Sequence, residues 1–399
     1  MLKQAEALYD ELVRLRRDIH AHPELGFQER RTSTLVADTL NEIGGIDVCT
    51  GVGITGVVGE ISNGSGPTIA IRADMDALPI IEQSAESYVS TNAGVMHACG
   101  HDAHTAILLG TAHLLRERFA AENLKGRVRL LFQPSEESQD AEGLSGASRM
   151  INDGALDSVD AVIALHVDSI APVGQVTVRE GWLTAAVDSF EAWITASGGH
   201  GAYPHNGTDP LWMLIPVLSA LHGIVARRVN PMQPAVVSLG QIHSGSTSNV
   251  IPAEVYLQGT LRSFDPEVRE QLVAEVEKAL AVTRALGGDY RLEVLRGYPA
   301  GWNDARVAGW MEQTTADLLG SAAVDKQRSG MGGEDFAYMC QKAPGAMIML
   351  GAAIDDGIVR GHHTPIFDID ERCMPMGAAI LAETALRFLR GELGSPKGA

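Results

Sequence analysis

Thr68-Ile69-Ala70-Ile71-Arg72-Ala73 runs straight into Asp74-Met75-Asp76. Three other β-rich runs are built the same way. Arg127–Phe132 (RVRLLF) passes through Gln133-Pro134-Ser135 to Glu136-Glu137. Ala161–Val167 (AVIALHV) closes on His166, and Ala346–Leu350 (AMIML) leads on to His362-His363-Thr364-Pro365. Between these runs lie helical stretches, His101–Phe119 and Asp370–Phe388 among them, with Ala, Leu and Ile at helical spacing. Strands alternating with helices predict an α/β domain. In an open α/β sheet the carboxyl ends of the strands share one edge, where ligands bind. Four strands that each deliver acids or imidazoles to that edge are more specific than any one of them.

The middle of the chain reads differently. SFEAWITA (189–196) is followed by a Gly-rich turn, a helical run over Pro210–Arg227, and two strand-like runs, AVVSLGQI (235–242) and EVYLQGTLRS (254–263). A helix over Pro266–Leu286 and the strand RLEVLRG (291–297) complete it. Strand–helix–strand–strand–helix–strand is a ferredoxin-like α+β pattern. The expected organisation is therefore a large α/β domain from 1–185 and 298–399, interrupted by a smaller domain over 186–297.

The chain has 399 residues, 45% of them hydrophobic and 20% charged, enough to bury a substantial core. Its formal charge of −19 argues against nucleic acids and anionic membranes as partners, and is compatible with divalent cations. The four cysteines, Cys49, Cys99, Cys340 and Cys373, are widely spaced and form no Cys-x-x-Cys. That favours a reducing compartment, the cytoplasm, over a disulfide framework. The charged N-terminus lacks the apolar core of a signal peptide, and no apolar run reaches the ~20 residues of a membrane span.

Gly51-Val52-Gly53-Ile54-Thr55-Gly56 is a literal G-x-G-x-x-G with Asp74 about 20 residues on. A dinucleotide site needs a helix directly after the glycines. Here Val57–Ile61 and a Ser/Asn/Gly turn follow, so a hairpin is expected instead.

The densest chemistry is Met96-His97-Ala98-Cys99-Gly100-His101-Asp102-Ala103-His104, which holds three of the 13 histidines. Cys99 and His101 stand just before a helix, whose N-terminus would favour a thiolate. With Glu136, Glu137, His166 and His363 they compose a metal-type ligand set. Neighbouring residues on extended backbone point apart. One of Glu136 and Glu137 can then ligate while the other serves a water as general base, a role that a structural zinc site does not need.

Eight segments carry a resemblance: ADMDALP (73–79), MHACGHDAH (96–104), QPSEE (133–137), GGHGAYPH (198–205), SNVIP (248–252), GTLR (259–262), GGEDF (332–336) and HHTPIFDIDE (362–371). In this order the sequence resembles the bacterial hippurate hydrolase and N-acyl-amino-acid amidohydrolase group. That group is similar to plant hydrolases of indole-acetyl-amino acids and, more distantly, to aminoacylases and glutamate carboxypeptidases. The resemblance spans about 17–383.

It implies a metallopeptidase-like α/β catalytic domain with an inserted ferredoxin-like dimerisation, or lid, domain. It implies two divalent ions per subunit, zinc first, with manganese, cobalt or nickel as alternatives. Cys99, His101, Glu137, His166 and His363 match the metal ligands, Glu136 the general acid/base, and Asp76 a carboxylate that orients a ligand. His200 matches a histidine that reaches the partner subunit's active site to stabilise the oxyanion, and Asn249 and Arg262 match residues that hold the substrate carboxylate.

The implied enzyme is a homodimeric or larger amidohydrolase of small N-acyl amino acids. A carboxypeptidase acting on short peptides is the alternative, and an inactive binding protein is disfavoured by the complete ligand set. His362 competes with His363, although the spacing to Pro365 favours His363. His97 and His104 read as supporting or packing residues, and Glu334-Asp335 as support for the loop that bears other ligands in preference to an approach to the metals. Two departures, Ala196-Ser197 before Gly-Gly-His and Gly333 before Glu-Asp-Phe, leave the acyl preference open.

Overall fold

The computed structural model describes residues 1–327 and 330–393. Contacts group 1–183, 302–327 and 338–393 into one unit, and 184–301 with 330–337 into a second. The short piece joins the second unit through the Ala185 amide, which donates to the Gly332 carbonyl at 2.8 Å.

The first unit is built on an eight-stranded sheet. Its spatial order is Asp47–Val52, Gly56–Asn63, Gly126–Gln133, Thr68–Asp74, Ala161–Pro172, Gly345–Ala353, Val176–Thr177 and Val324–Asp325. The four runs read from the sequence are its contiguous parallel centre. All seven residues of Thr68–Asp74 are buried, as expected of a central parallel strand covered on both faces. Helix His101–Glu122 is buried without a break from His101 to Ala112, so apolar residues surround that part rather than form a stripe. It packs with helices Tyr9–Ala21 and Met374–Leu389. The 51–56 glycine segment lies at the antiparallel hairpin of Asp47–Val52 and Gly56–Asn63, with Gly51 and Gly53 at positive φ. No helix follows it, so the dinucleotide pattern is a turn.

One strand end differs from expectation. The run read as Ala161–Val167 continues to Pro172, because its partner Gly345–Ala353 keeps pairing as far as Asp168 and Pro172. His166 therefore lies inside a strand rather than at its tip.

A buried ion cluster joins three distant segments of this unit. Arg16, with no exposed surface, donates to Asp102 (2.8 Å), Asp368 (2.8 Å) and Glu371 (3.2 Å). His20 stands between Asp102 (2.7 Å from Nδ1) and Glu82 (3.2 Å from Nε2). Both neighbours accept only, so both ring nitrogens carry protons. Its pKa is raised by these carboxylates in spite of burial and Arg16.

The second unit has a separate apolar core around Phe190, Val217, Leu257 and Leu272. Its four-stranded sheet runs Ala235–Ser244, Glu254–Ser263, Ala186–Thr195, Asp289–Arg296, with every neighbouring pair antiparallel. In chain order that is second, third, first, fourth, the ferredoxin-like arrangement. Helices Pro210–Arg227 and Pro266–Ala285 pack together and on this sheet, each capped by an aspartate, Asp209 or Asp265.

Replacing Arg16 with Leu should cost about 3–5 kcal/mol, because three acids lose a buried partner. An unchanged urea midpoint would refute this. Burial works against the Glu82 carboxylate, but His20, Ser84 and the Ser90 amide bring its pKa from 4.5 to about 2. Its contribution is therefore present above about pH 4.5 and fades as pH falls towards 2. Glu82→Gln should flatten that limb of the stability profile.

Candidate metal centre

The sheet register positions the site. Asp74 pairs with Gln133 on the adjacent parallel strand, so the residues that follow each strand emerge side by side. The Asp76 carboxylate accepts the Glu136 amide at 3.0 Å and the Glu137 amide at 2.9 Å. It thus fixes both glutamates, in addition to lying 3.2 Å from His101 Nδ1.

Gly100, at φ 94°, turns the chain into helix His101–Glu122. That turn leaves Cys99 just ahead of the helix and His101 in its first position. His101 Nδ1 lies 2.9 Å from the Asp76 carbonyl, which can only accept, so Nδ1 carries a proton. The other nitrogen, Nε2, is buried without a hydrogen-bond partner and faces Glu137 Oε1. These two atoms are 4.0 Å apart.

His166 Nδ1 is held by the Val167 carbonyl at 2.8 Å, while Nε2 lies 3.4 Å from Cys99 Sγ. His104 accepts the Val167 amide at Nε2 (2.9 Å), so its proton sits on Nδ1, 2.6 Å from Asp74. The Arg72 guanidinium in turn donates to Asp74 at 2.6 Å. Arg72, Asp74 and His104 thus form a buried chain that fixes the backbone next to His166. His363, at φ 60°, donates its amide to the Ala98 carbonyl (2.8 Å) and places Nε2 3.0 Å from Glu137 Oε1.

Among the described residues, several groups bring one ligand atom per residue within 4.8 Å of one another, and three of them interlock: Cys99, Glu137 and His363; Cys99, His166 and His362; and His101, Glu136 and Glu137. Shared members Cys99 and Glu137 make these adjacent positions of one centre. The five residues read as ligands come together with Glu136 and Asp76. His362 packs against His166 (centroids 5.2 Å) and Phe367 (5.1 Å) and also meets the ligand criterion.

The electrostatics call for a cation. Burial pushes the Cys99 thiol well up, and Glu137, Glu136 and Asp74 push it further. Low dielectric and three nearby carboxylates thus outweigh the help that the helix N-terminus gives a thiolate in the metal-free protein. Burial disfavours the His101 imidazolium, yet Asp74, Asp76 and Glu137 raise its pKa to about 10. His166 is pushed well down by burial and by His104 and His362. Divalent ions fit this donor set of thiol, imidazoles and carboxylates, with the orphaned His101 Nε2 among the donors.

His200, Asn249 and Arg262 belong to the second unit. His200 pairs with Val250 in a short ladder, and the Gly201 amide donates to the Asn249 carbonyl at 2.8 Å, which brings His200 and Asn249 together. Arg262 turns its Nη1 onto the Leu261 carbonyl (3.0 Å) and the Thr260 hydroxyl. Sequence reading missed the Asp74–His104 pair as the device behind His166, and missed Glu29, whose carboxylate reaches the Ser135 amide. The alternation of acids and histidines at 74–76 and 101–104 was a signal for the first; Glu29 had none.

Residues 70–387 match the sequence profile of Peptidase family M20/M25/M40. N-acetyl-L-cysteine deacetylase of Bacillus subtilis is 41% identical over 96% of this chain and 89% of its own length. Thermostable carboxypeptidase 2 of Saccharolobus solfataricus is 38% identical over 95% of each. Among solved structures, the YxeP protein of Bacillus subtilis, described as a dinuclear metal-binding peptidase of the M20 family, is 34% identical. It superposes with a TM-score of 0.82, covering 96% of this chain and 99% of its own.

Cobalt-loaded protein should show a thiolate-to-metal charge-transfer band that Cys99→Ser abolishes. His363→Ala should lose bound metal by mass spectrometry, whereas His362→Ala should retain it. The reverse pattern would assign the ligand to His362.

Proposed function

The chain belongs to peptidase family M20/M25/M40, metal-dependent hydrolases of amide bonds, and we propose that it cleaves N-acyl amino acids to a carboxylic acid and a free amino acid. The observation that carries this reading is the paired glutamate. Glu136 and Glu137 are held on one carboxylate, Glu137 points at His101 and His363, and Glu136 is buried beside them. In this reading Cys99, His101, Glu137, His166 and His363 hold two divalent ions, zinc before manganese, cobalt or nickel. Bound there, the ions supply Lewis acidity that makes water a nucleophile at neutral pH and polarises the amide carbonyl.

The chain's own residues handle the protons. Glu136 takes one proton from the attacking water as the oxygen–carbon bond forms. It returns that proton to the amide nitrogen as the carbon–nitrogen bond breaks, so the amine leaves neutral. Asp76 keeps the Glu136 backbone fixed through both transfers. His200 Nδ1 accepts the Ala202 amide at 3.1 Å, which leaves the proton on Nε2 in the neutral ring. An exposed Nε2–H is the donor that a developing oxyanion requires. Thr247 donates to Asn249 Oδ1 at 2.9 Å, orienting the amide so that Nδ2 can donate to the substrate carboxylate. Arg262 is the proposed cationic partner of that carboxylate.

A second reading, release of a C-terminal amino acid from short peptides, uses the same groups and is favoured by the likeness to a carboxypeptidase. Relative rates on N-acyl amino acids and dipeptides separate the two.

We further propose a homodimer formed through the second unit. Helix Pro210–Arg227 buries Met213, Val217, Leu221 and Ile224 in its own core but exposes Leu211, Trp212 and Ile215, the last at 66%. Strand Ala235–Ser244 is an open sheet edge of the same unit. The free thiols of Cys49, Cys99 and Cys373 suit a cytoplasmic protein.

Glu136→Gln should keep both ions and lower kcat by roughly 10²–10⁴-fold. Near-normal hydrolysis across a panel of N-acyl amino acids would overturn the assignment. Trp212→Asp with Ile215→Asp should yield a monomer in light scattering. If His200 acts across the dimer, mixing Glu136→Gln and His200→Ala subunits should restore activity, and no recovery despite subunit exchange would refute sharing.

A further inference from the structure

Glu29 is fully buried just ahead of helix Arg30–Ile43, and nothing in the mechanism above uses it. Its Oε1 accepts the Ser135 amide at 2.8 Å, and its Oε2 accepts the Thr55 hydroxyl. Ser135 immediately precedes the glutamate pair and takes φ 42°, a conformation that L-residues seldom adopt without support. Its carbonyl accepts the Gly146 amide at 2.9 Å, and its hydroxyl meets Ser138 Oγ and the Ser138 carbonyl, each at 3.0 Å. Gly146 lies so close that a Cβ there would fall 1.5 Å from the Pro134 carbonyl oxygen.

Three successive amides, those of Ser135, Glu136 and Glu137, therefore point into two carboxylates, Glu29 for the first and Asp76 for the next two. Thr55, which steadies the outer oxygen of Glu29, sits in the hairpin turn whose glycines imitate a nucleotide motif. Its carbonyl is bound by the Ser33 hydroxyl, from the helix that Glu29 precedes.

We propose that Glu29 is a positioning residue: by holding the Ser135 amide it sets the backbone from which the general base Glu136 and the ligand Glu137 are both aimed. This rests on the roles assigned to those two glutamates. Only an acceptor for Ser135 and a partner for Thr55 are needed, and a neutral side chain can provide both. Burial, and then the Asp76 carboxylate, raise the Glu29 pKa to about 7, so a neutral form that resembles glutamine is accessible.

The test compares Glu29→Gln, which keeps length and acceptor, with Glu29→Asp, which keeps charge but is one methylene too short to span Ser135 and Thr55. In Glu29→Asp, hydrogen exchange of the metal-free protein should speed up in peptides covering 135–137. The zinc-loaded variant should lose roughly 10- to 100-fold in kcat with little change in KM, and should release zinc to a chelator sooner. Glu29→Gln should stay near the wild type in all three measurements.

Exchange and chelator release do not depend on the substrate, so they stand even if the proposed hydrolysis fails. Thr55→Val removes only the outer partner and should show a weaker form of the Asp phenotype, which keeps the test open if Glu29→Asp folds poorly. Unaltered exchange and zinc release in Glu29→Asp, or a Gln variant as impaired as Asp, would overturn the proposal.

Discussion

The Asp76 carboxylate holds the Glu136 amide on one oxygen and the Glu137 amide on the other, with the His101 ring 3.2 Å away. One buried acid thus fixes the proposed general base and two proposed ligands together, and it can do so because of the sheet. Asp74 pairs with Gln133, and both strands end at the same edge, so Asp76 comes level with the turn that carries the glutamates. A shift of one residue in that register would move these amides away from the acid and turn alternate side chains to the other face. The register is specified by two strands buried along nearly their whole length. The precision of the site is therefore inherited from the core and does not depend on loop stiffness alone.

The same crowding creates an electrostatic problem that the protein leaves unsolved until a cation binds. Asp74, Asp76, Glu136 and Glu137 converge with too few protein cations between them. Arg72 and the neighbouring imidazoles hold the Asp74 carboxyl well below its usual range in spite of burial. The His101 ring answers the remaining charge by retaining a proton. That proton would sit on Nε2, the atom that an ion needs, because Nδ1 is committed to the Asp76 carbonyl. Proton and metal are thus rivals for one lone pair, and so they are at the Cys99 sulfur. His166 is different: its neighbours keep it neutral and its lone pair is available from the start.

The sheet centre was legible because each of its strands announces itself locally, as a short β-rich run followed by an acid or a histidine. The inserted unit was legible by its order of elements, and the glycine decoy by the absence of a following helix. Glu29 and Arg16 were not legible. Glu29 looks like any acid before a helix until Ser135, 106 positions away, is folded against it. Arg16 meets Asp368 across 352 positions, and no window of sequence contains both. The burden of charge on Cys99 was hard to read for a related reason. The helix start beside Cys99 is visible in sequence, whereas the three carboxylates that oppose a thiolate arrive from two separate strands, Asp74 from one and Glu136-Glu137 after the other.

The chain also separates what must stay constant from what can vary. Every proposed ligand, the proposed general base and the carboxylates of Asp76 and Glu29 belong to a unit with one continuous apolar core, whereas His200, Asn249 and Arg262 are built on a second core of their own. The two departures from the related sequences, Ala196-Ser197 and Gly333, also fall in this second unit. Ser197 is bonded to Thr208 in the loop that follows His200, so a change there re-aims the recognition loop without disturbing a single metal ligand. In the proposed roles, recognition of the substrate falls to His200, Asn249 and Arg262 of the second unit and metal binding to the first.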